Sequence, residues 1–254
     1  MDETSTLEVS RYGPVTVIQL KRWQARNAIN AEAARELRES WQAFEADEQA
    51  CVGILTGGDQ IFCAGADLYD LEGLASEVTG LHGPLGMTRL TGKKPMIAAI
   101  AGYCVAGGLE LACWCDLRIA DETAILGCFE RRFGVPLVDG GTQRLPHIIG
   151  LGRALELILT GRPVPAREAL SIGLVNEVVA PGQSLQRALE LGQFIATLPQ
   201  ICLRNDRQAV YRGLGRDLAQ GLALEAELGQ HTLQSGEAFA GAQQFQAGKG
   251  RQGT

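Results

Sequence analysis

Residues 93–116, KKPMIAAIAGYCVAGGLELACWCD, constrain this chain more than any other stretch. The run 96–100 follows Pro95, is wholly apolar and has the length of a strand. Residues 107–114 are small and apolar around a single glutamate, Glu110, and read as a buried helix. A Gly/Ala turn with almost no side-chain bulk lies between them. A strand that passes through glycines into a helix N-terminus points backbone N–H groups at whatever sits beyond the strand end. Glu110 lies three residues after Gly107, so on a helix the two share a face. A carboxylate in so apolar a helix needs a partner or a task.

The flanking segments hold further strands and helices, with no internal repeat in sequence. Residues 7–20 read as two short strands around Gly13-Pro14. Asn30 reads as the cap of an amphipathic helix with Leu37, Trp41 and Phe44 on one stripe. Residues 51–56 read as a buried strand ended by Gly57-Gly58, and 69–92 as weak helix and loop. Strands follow at 117–120 and 173–179, with a surface loop at 128–150 leading into a short helix. Helices are expected at 151–160, ended by Gly161, and from Pro165 to Leu170, and again throughout 183–247. Strands thus alternate with helices to about residue 180 and helices alone follow. The fold class is α/β with right-handed crossovers: a core over 1–180 and a helical region over 181–254 that extends it.

Two segments share one local grammar. Ile54-Leu55-Thr56 leads to Gly65-Ala66-Asp67, and Ala99-Ile100 leads to Gly107-Gly108. Each offers a backbone N–H with little obstruction. Two such donors converging on one oxygen can hold the charge of a carbonyl turning into an enolate, each contributing roughly 3–4 kcal/mol in the transition state. Three carboxylates are candidates for proton transfer. Glu110 stands alone in its helix, Glu130 is followed by two arginines, and Asp139 precedes two glycines where an Asx-type turn is the plain alternative. Spacing alone does not choose among them. No phosphate-binding glycine loop and no GxSxG elbow is present.

A net charge of −6 offers no basic stripe for nucleic acid or an anionic membrane. The polar, acidic first residues are not expected to act as a signal peptide, and no apolar run reaches membrane-spanning length. The seven cysteines sit mostly in apolar segments and the three histidines are scattered, so the expectation is reduced core thiols, no metal site and a cytoplasmic location.

With these motifs in place, the chain resembles the enoyl-CoA hydratase/isomerase (crotonase) family over about residues 10–250. The matching pieces occur in the family's order: ARNAIN (25–30), ILTGGDQIFCAGADL (54–68), KPMIAAIAGYCVAGGLELACWCDLRIA (94–120), FGVPLVDGGTQRLPHIIG (133–150) and LILTGRPVPAREALSIGLVNEVV (157–179). The resemblance implies a spiral of ββα units with a C-terminal helical trimerisation region, assembling as a trimer or a dimer of trimers. It implies an acyl-CoA thioester substrate, with coenzyme A part of that substrate and no further cofactor. By motif position the oxyanion donors would be the amides of Ala66 and Gly107. Glu110 and Glu130 would be the two catalytic glutamates, which favours hydration of a 2-enoyl-CoA, and Asp139 is a possible third participant. Gln24, Arg26, Ala28, Ala64, Asp67, Leu68 and Lys249 would contact the CoA moiety. Two departures stand out: Phe129 replaces the usual proline before the second glutamate, and Ala106 begins the usual triple glycine. An isomerase, a hydrolase or another acyl-CoA lyase, and a non-catalytic scaffold, are the alternatives.

Overall fold

Paired strands organise the molecule, which a computed structural model describes over residues 5–248. An antiparallel hairpin, β1 (Leu7–Tyr12) and β2 (Val15–Leu20), leads to α1 (Ala31–Ala46), where Asn30 Oδ1 accepts from the Ala33 amide at 2.9 Å. Strands then come in pairs. The first pair is β3 (Val52–Thr56) and β4 (Ile61–Cys63), followed by the short α2 (Leu71–Ala75). The second is β5 (Met96–Ile100) and β6 (Tyr103–Val105), followed by α3 (Gly107–Trp114). The third is β7 (Leu117–Asp121) and β8 (Ile125–Gly127), followed by a 3₁₀ turn, Phe129–Phe133. Next come α4 (Gly141–Ile149), α5 (Leu151–Thr160), β9 (Val164–Pro165), α6 (Ala166–Ser171), β10 (Glu177–Val179) and α7 (Ser184–Thr197).

The first strand of every pair joins one sheet, in the order β1-β2-β3-β5-β7-β10, and the second joins another, β4-β6-β8-β9. Neighbours within β3-β5-β7 and within β4-β6-β8 are parallel. Each pair therefore repeats the last, one step further along both sheets, which is the spiral of ββα units that the resemblance implies. The centre of the large sheet is covered on both faces, so β3 and β5 read as continuous apolar runs. Val17, Ile54, Ile97, Ala99 and Ile119 point to the side where Ala188 and Leu185 of α7 pack. Ile18, Leu55, Ala98, Ile100 and Ala120 point to the other side, into the core shared with α1 and α3.

One compact unit runs to Ile195 and a second begins at Ala196. The second contains α8 (Gln200–Gly213), α9 (Leu218–Gln234) and α10 (Glu237–Gln246). Within it, buried Asn205 donates to Thr232 Oγ1 at 2.9 Å and to the Leu228 carbonyl at 3.2 Å, joining α8 to α9.

Three expectations need correction. The stretch 102–106 is not only a turn, because Tyr103–Val105 form β6 and pair with β4 and β8. Only Glu177–Val179 of the segment 173–179 is strand, since that is the part in register with β7. The segment after Cys128 is not a surface loop throughout: Glu130 and Asp139 are both buried.

Candidate active site

The first two units of the spiral end in turns that touch. After β4, Gly65 takes φ +95°, which lets its carbonyl accept from the Ile29 amide while the Asp67 amide donates to Ile29 O, both at 2.8 Å. The Ala66 N–H between them is turned away from that ladder. After β6, Ala106 takes φ 53° and ψ −129° and starts α3, so the Gly107 N–H is the first of the helix's unbonded donors. Neither the Ala66 nor the Gly107 amide donates to a backbone acceptor among the described residues. A Cβ on Gly65 would lie 2.7 Å from the Gly107 nitrogen, and one on Gly107 would lie 3.4 Å from the Ala66 nitrogen. A Cβ on Gly108 would stand 2.2 Å from the Cys63 carbonyl oxygen. Glycine is required here because α3 is pressed directly onto the preceding turn.

All eight residues of α3 are buried, Glu110 included. Its Oε1 accepts from the amides of Gly141 (2.8 Å) and Asp139 (3.0 Å), so two backbone donors from the loop before α4 hold the carboxylate, not an arginine. Burial pushes its pKa up to about 8. The Gly141 amide opposes that rise, while the charges of Asp139 and Glu130 add to it. Glu130, on the 3₁₀ turn of the third unit, is 5% exposed, and neither of its carboxylate oxygens has a hydrogen-bonding partner among the described residues. Burial raises its pKa as well. The arginines beside it are turned elsewhere. Arg132 stacks on Phe129 at 3.8 Å and donates to Gly161 O at 3.1 Å, and Arg131 donates to Ile158 O at 3.0 Å.

Asp139 is not an Asx turn. Its Oδ1 accepts from the Leu85 amide at 3.1 Å and from the Thr88 hydroxyl. Burial raises this pKa too, with the Thr88 bond opposing it.

These groups meet in one cavity of about 430 Å³, whose lining includes Ala64, Ala66, Leu68, Gly107, Glu110, Glu130 and Asp139. The rest of the wall is apolar: Leu71, Leu74 and Val78 on one side, Phe129, Phe133 and Val135 on another, and Leu85 beside Gly107. Such a site can place carboxylates against a substrate next to two unbonded amides, in surroundings dry enough to strengthen every charge interaction.

Of the remaining sequence candidates, Gln24 and Arg26 are exposed and Ala28 is buried, all outside the cavity lining. The segment carrying them is laced to the 63–67 turn: Ala64 N donates to Arg26 O at 3.1 Å, and Arg22 donates to Ala28 O. Asp67 is paired with Arg22 at 2.9 Å and its Oδ1 accepts from the Tyr69 amide at 3.1 Å. Lys249 lies outside the described residues. Among those residues no three His, Cys, Asp or Glu side chains are grouped to hold a metal, and no helix is long and apolar enough to cross a membrane. Sequence reasoning missed Gly141, Leu85 and Thr88. The Gly140-Gly141 pair was a usable signal for the first, while the 69–92 segment carried none for the other two.

The family described as enoyl-CoA hydratase/isomerase matches residues 10–250. The chain is 42% identical over 227 residues to a protein of Rhizobium meliloti named probable enoyl-CoA hydratase, covering 89% of this chain and 88% of that one. It is 36% identical over 230 residues to the short-chain-enoyl-CoA hydratase of Clostridium acetobutylicum, covering 89% and 88%. Among solved structures, the enoyl-CoA hydratase of Bacillus anthracis superposes with a TM-score of 0.89 at 34% identity, covering 96% of both chains.

Proposed function

The chain belongs to the enoyl-CoA hydratase/isomerase family, and from that premise we propose that it is an enoyl-CoA hydratase, adding water across the 2,3 double bond of a 2-enoyl-CoA. The observation that carries this is a single apolar cavity in which two adjacent, unbonded amides face two buried glutamates. Glu110 takes a proton from water as the water oxygen bonds to C3. Negative charge passes to the thioester oxygen, where the Ala66 and Gly107 N–H groups hold it. Glu130 then gives its proton to C2. Glu110 is left protonated and Glu130 ionised, and the proton returns through solvent after product leaves. Glu130 suits the donor role because no group among the described residues bonds to its oxygens.

The CoA moiety lies, in this proposal, along Gln24, Arg26 and Ala28 and beside Ala64 and Leu68, with Asp67 tying the two strips together through Arg22. No further cofactor takes part. The helical region, taken from residue 181 onward, serves assembly as a trimer or a dimer of trimers. Support comes from Leu218, Leu222, Leu233, Phe239 and Phe245, each more than half exposed. A cytoplasmic location is supported by seven free thiols, five of them buried.

Purified protein mixed with crotonyl-CoA tests the activity by the fall of enone absorbance. Hydration without added metal or nucleotide is expected. Binding of the thioester without any loss of absorbance overturns the assignment.

A further inference from the structure

Asp139 sits at a junction that the hydration chemistry does not explain. Its main-chain amide donates to Glu110 Oε1, and the next amide but one, Gly141, donates to the same oxygen. Its side chain reaches in another direction. Oδ1 takes two donors, the Leu85 amide and the Thr88 hydroxyl, from a segment more than fifty residues earlier in the chain. Thr88 is 1% exposed and Leu85 fully buried, so these bonds are out of water and costly to leave unmade. The fit is tight: a Cβ on Gly83 would lie 2.6 Å from Thr88 Oγ1 and 2.8 Å from Asp139 Oδ1. Leu85 in turn lays its side chain against Gly107, where an added Cβ would meet Leu85 Cδ1 at 2.9 Å. Two arginines fasten the same loop from outside, Arg144 to Asp139 O at 2.8 Å and Arg89 to Val138 O at 3.1 Å.

We infer that Asp139 is a positioning residue of this site, not a proton carrier: its amide aims Glu110, while its carboxylate staples the 83–88 segment so that Leu85 closes the wall beside Gly107. One residue thereby sets the carboxylate and the oxyanion pocket relative to each other. This rests on the hydratase reading for its kinetic consequence, though not for its structural one. Both accepting positions of Oδ1 are filled by Leu85 and Thr88, so only Oδ2 could carry a proton.

Asparagine separates the two roles. Asp139→Asn keeps an oxygen acceptor for Leu85 and Thr88 and puts a non-titrating amide at the other position, whereas Asp139→Ala removes the staple. Crotonyl-CoA hydration should stay within about tenfold of wild type for Asp139→Asn, the difference between a charged and a neutral acceptor. For Asp139→Ala, kcat should fall about 10²-fold through misplacement. Thr88→Val should move in the same direction as the alanine variant, and Thr88→Ser should rescue it. Hydrogen exchange of peptides spanning 83–88 should quicken in Asp139→Ala and Thr88→Val and remain slow in Asp139→Asn. That readout stands even if wild type hydrates nothing, which would sink the hydratase reading alone. A folded Asp139→Asn as inactive as the alanine variant, or unchanged exchange in Asp139→Ala and Thr88→Val, overturns the inference. If Asp139→Ala fails to fold, the asparagine and Thr88 variants decide it.

Discussion

The second and third units of the spiral each deliver a glutamate to the same cavity, and they do so by different means. Glu110 rides on an eight-residue helix buried on every side, and two amides grip one of its oxygens. Glu130 rides on a five-residue 3₁₀ turn, with both oxygens unbonded. The first carboxylate is aimed, and the second is left open for whatever enters. A group that must orient a water needs a fixed direction, while a group that passes a proton to carbon needs an uncommitted oxygen. The proposed roles follow this contrast, the fixed carboxylate as base and the open one as proton donor.

Exchanging the side chains tests the contrast most severely. Glu110→Gln keeps the acceptor oxygen for Gly141 and Asp139 and removes the base, so kcat should fall by about 10⁴-fold, the upper end of acid–base effects, with thioester binding retained in a titration. Glu130→Gln should cost less, roughly 10²–10³-fold, because some protonation of the enolate can come from water. A larger loss at Glu130 in steady-state assays would reverse the assignment.

The pH dependence sharpens it. As pH falls through about 8 Glu110 gains a proton and loses the ability to take one from water, so kcat/KM should be half-maximal near that value and level off above it. Whenever Glu130 is ionised its charge adds to this rise, so the residual activity of Glu130→Gln, which is never charged, should show the same limb at lower pH. An unmoved limb would mean that the two carboxylates do not sense each other.

Stability moves the other way. The folded pKa of Glu110 lies above its ordinary 4.5, so ionising it costs stability that begins above that pH and is complete near pH 8. Glu110→Gln should therefore stabilise the fold at pH 8 by on the order of a few kcal/mol, seen as a higher Tm, and the gain should vanish below the ordinary carboxylate range. Calorimetry at three pH values checks this. The smallest effect concerns the grip itself. Gly141→Ala puts a methyl 3.0 Å from Glu110 Oε1, and kcat should drop about tenfold, equivalent to one neutral hydrogen bond, with KM little changed.

Much of this was legible along the chain. Asn30 announced its helix, Gly161 ended α5 in a left-handed conformation, and the runs in β3 and β5 carried no polar residue but a terminal threonine. Glu110 was visible because it is alone in an apolar helix. The strands β4, β6 and β8 were harder. Each has three residues, too few for a period to show, and exists because its neighbours supply the pairing. Glu130 was masked by Arg131 and Arg132, whose departure toward α5 and Phe129 no local pattern foretells. Asp139 looked like a turn residue because its partners, Leu85 and Thr88, are distant in sequence and lie in a segment without periodicity.

Ala106 has a consequence beyond geometry. With φ 53° and ψ −129° its methyl sits where an L-residue is crowded, a conformation that costs on the order of 1–3 kcal/mol. The neighbouring N–H therefore has no local resting place: its direction is kept under tension by β6 on one side and α3 on the other. Mild denaturant that merely slackens this corner should silence the enzyme while circular dichroism still reports an intact protein, making catalysis the first casualty of softening.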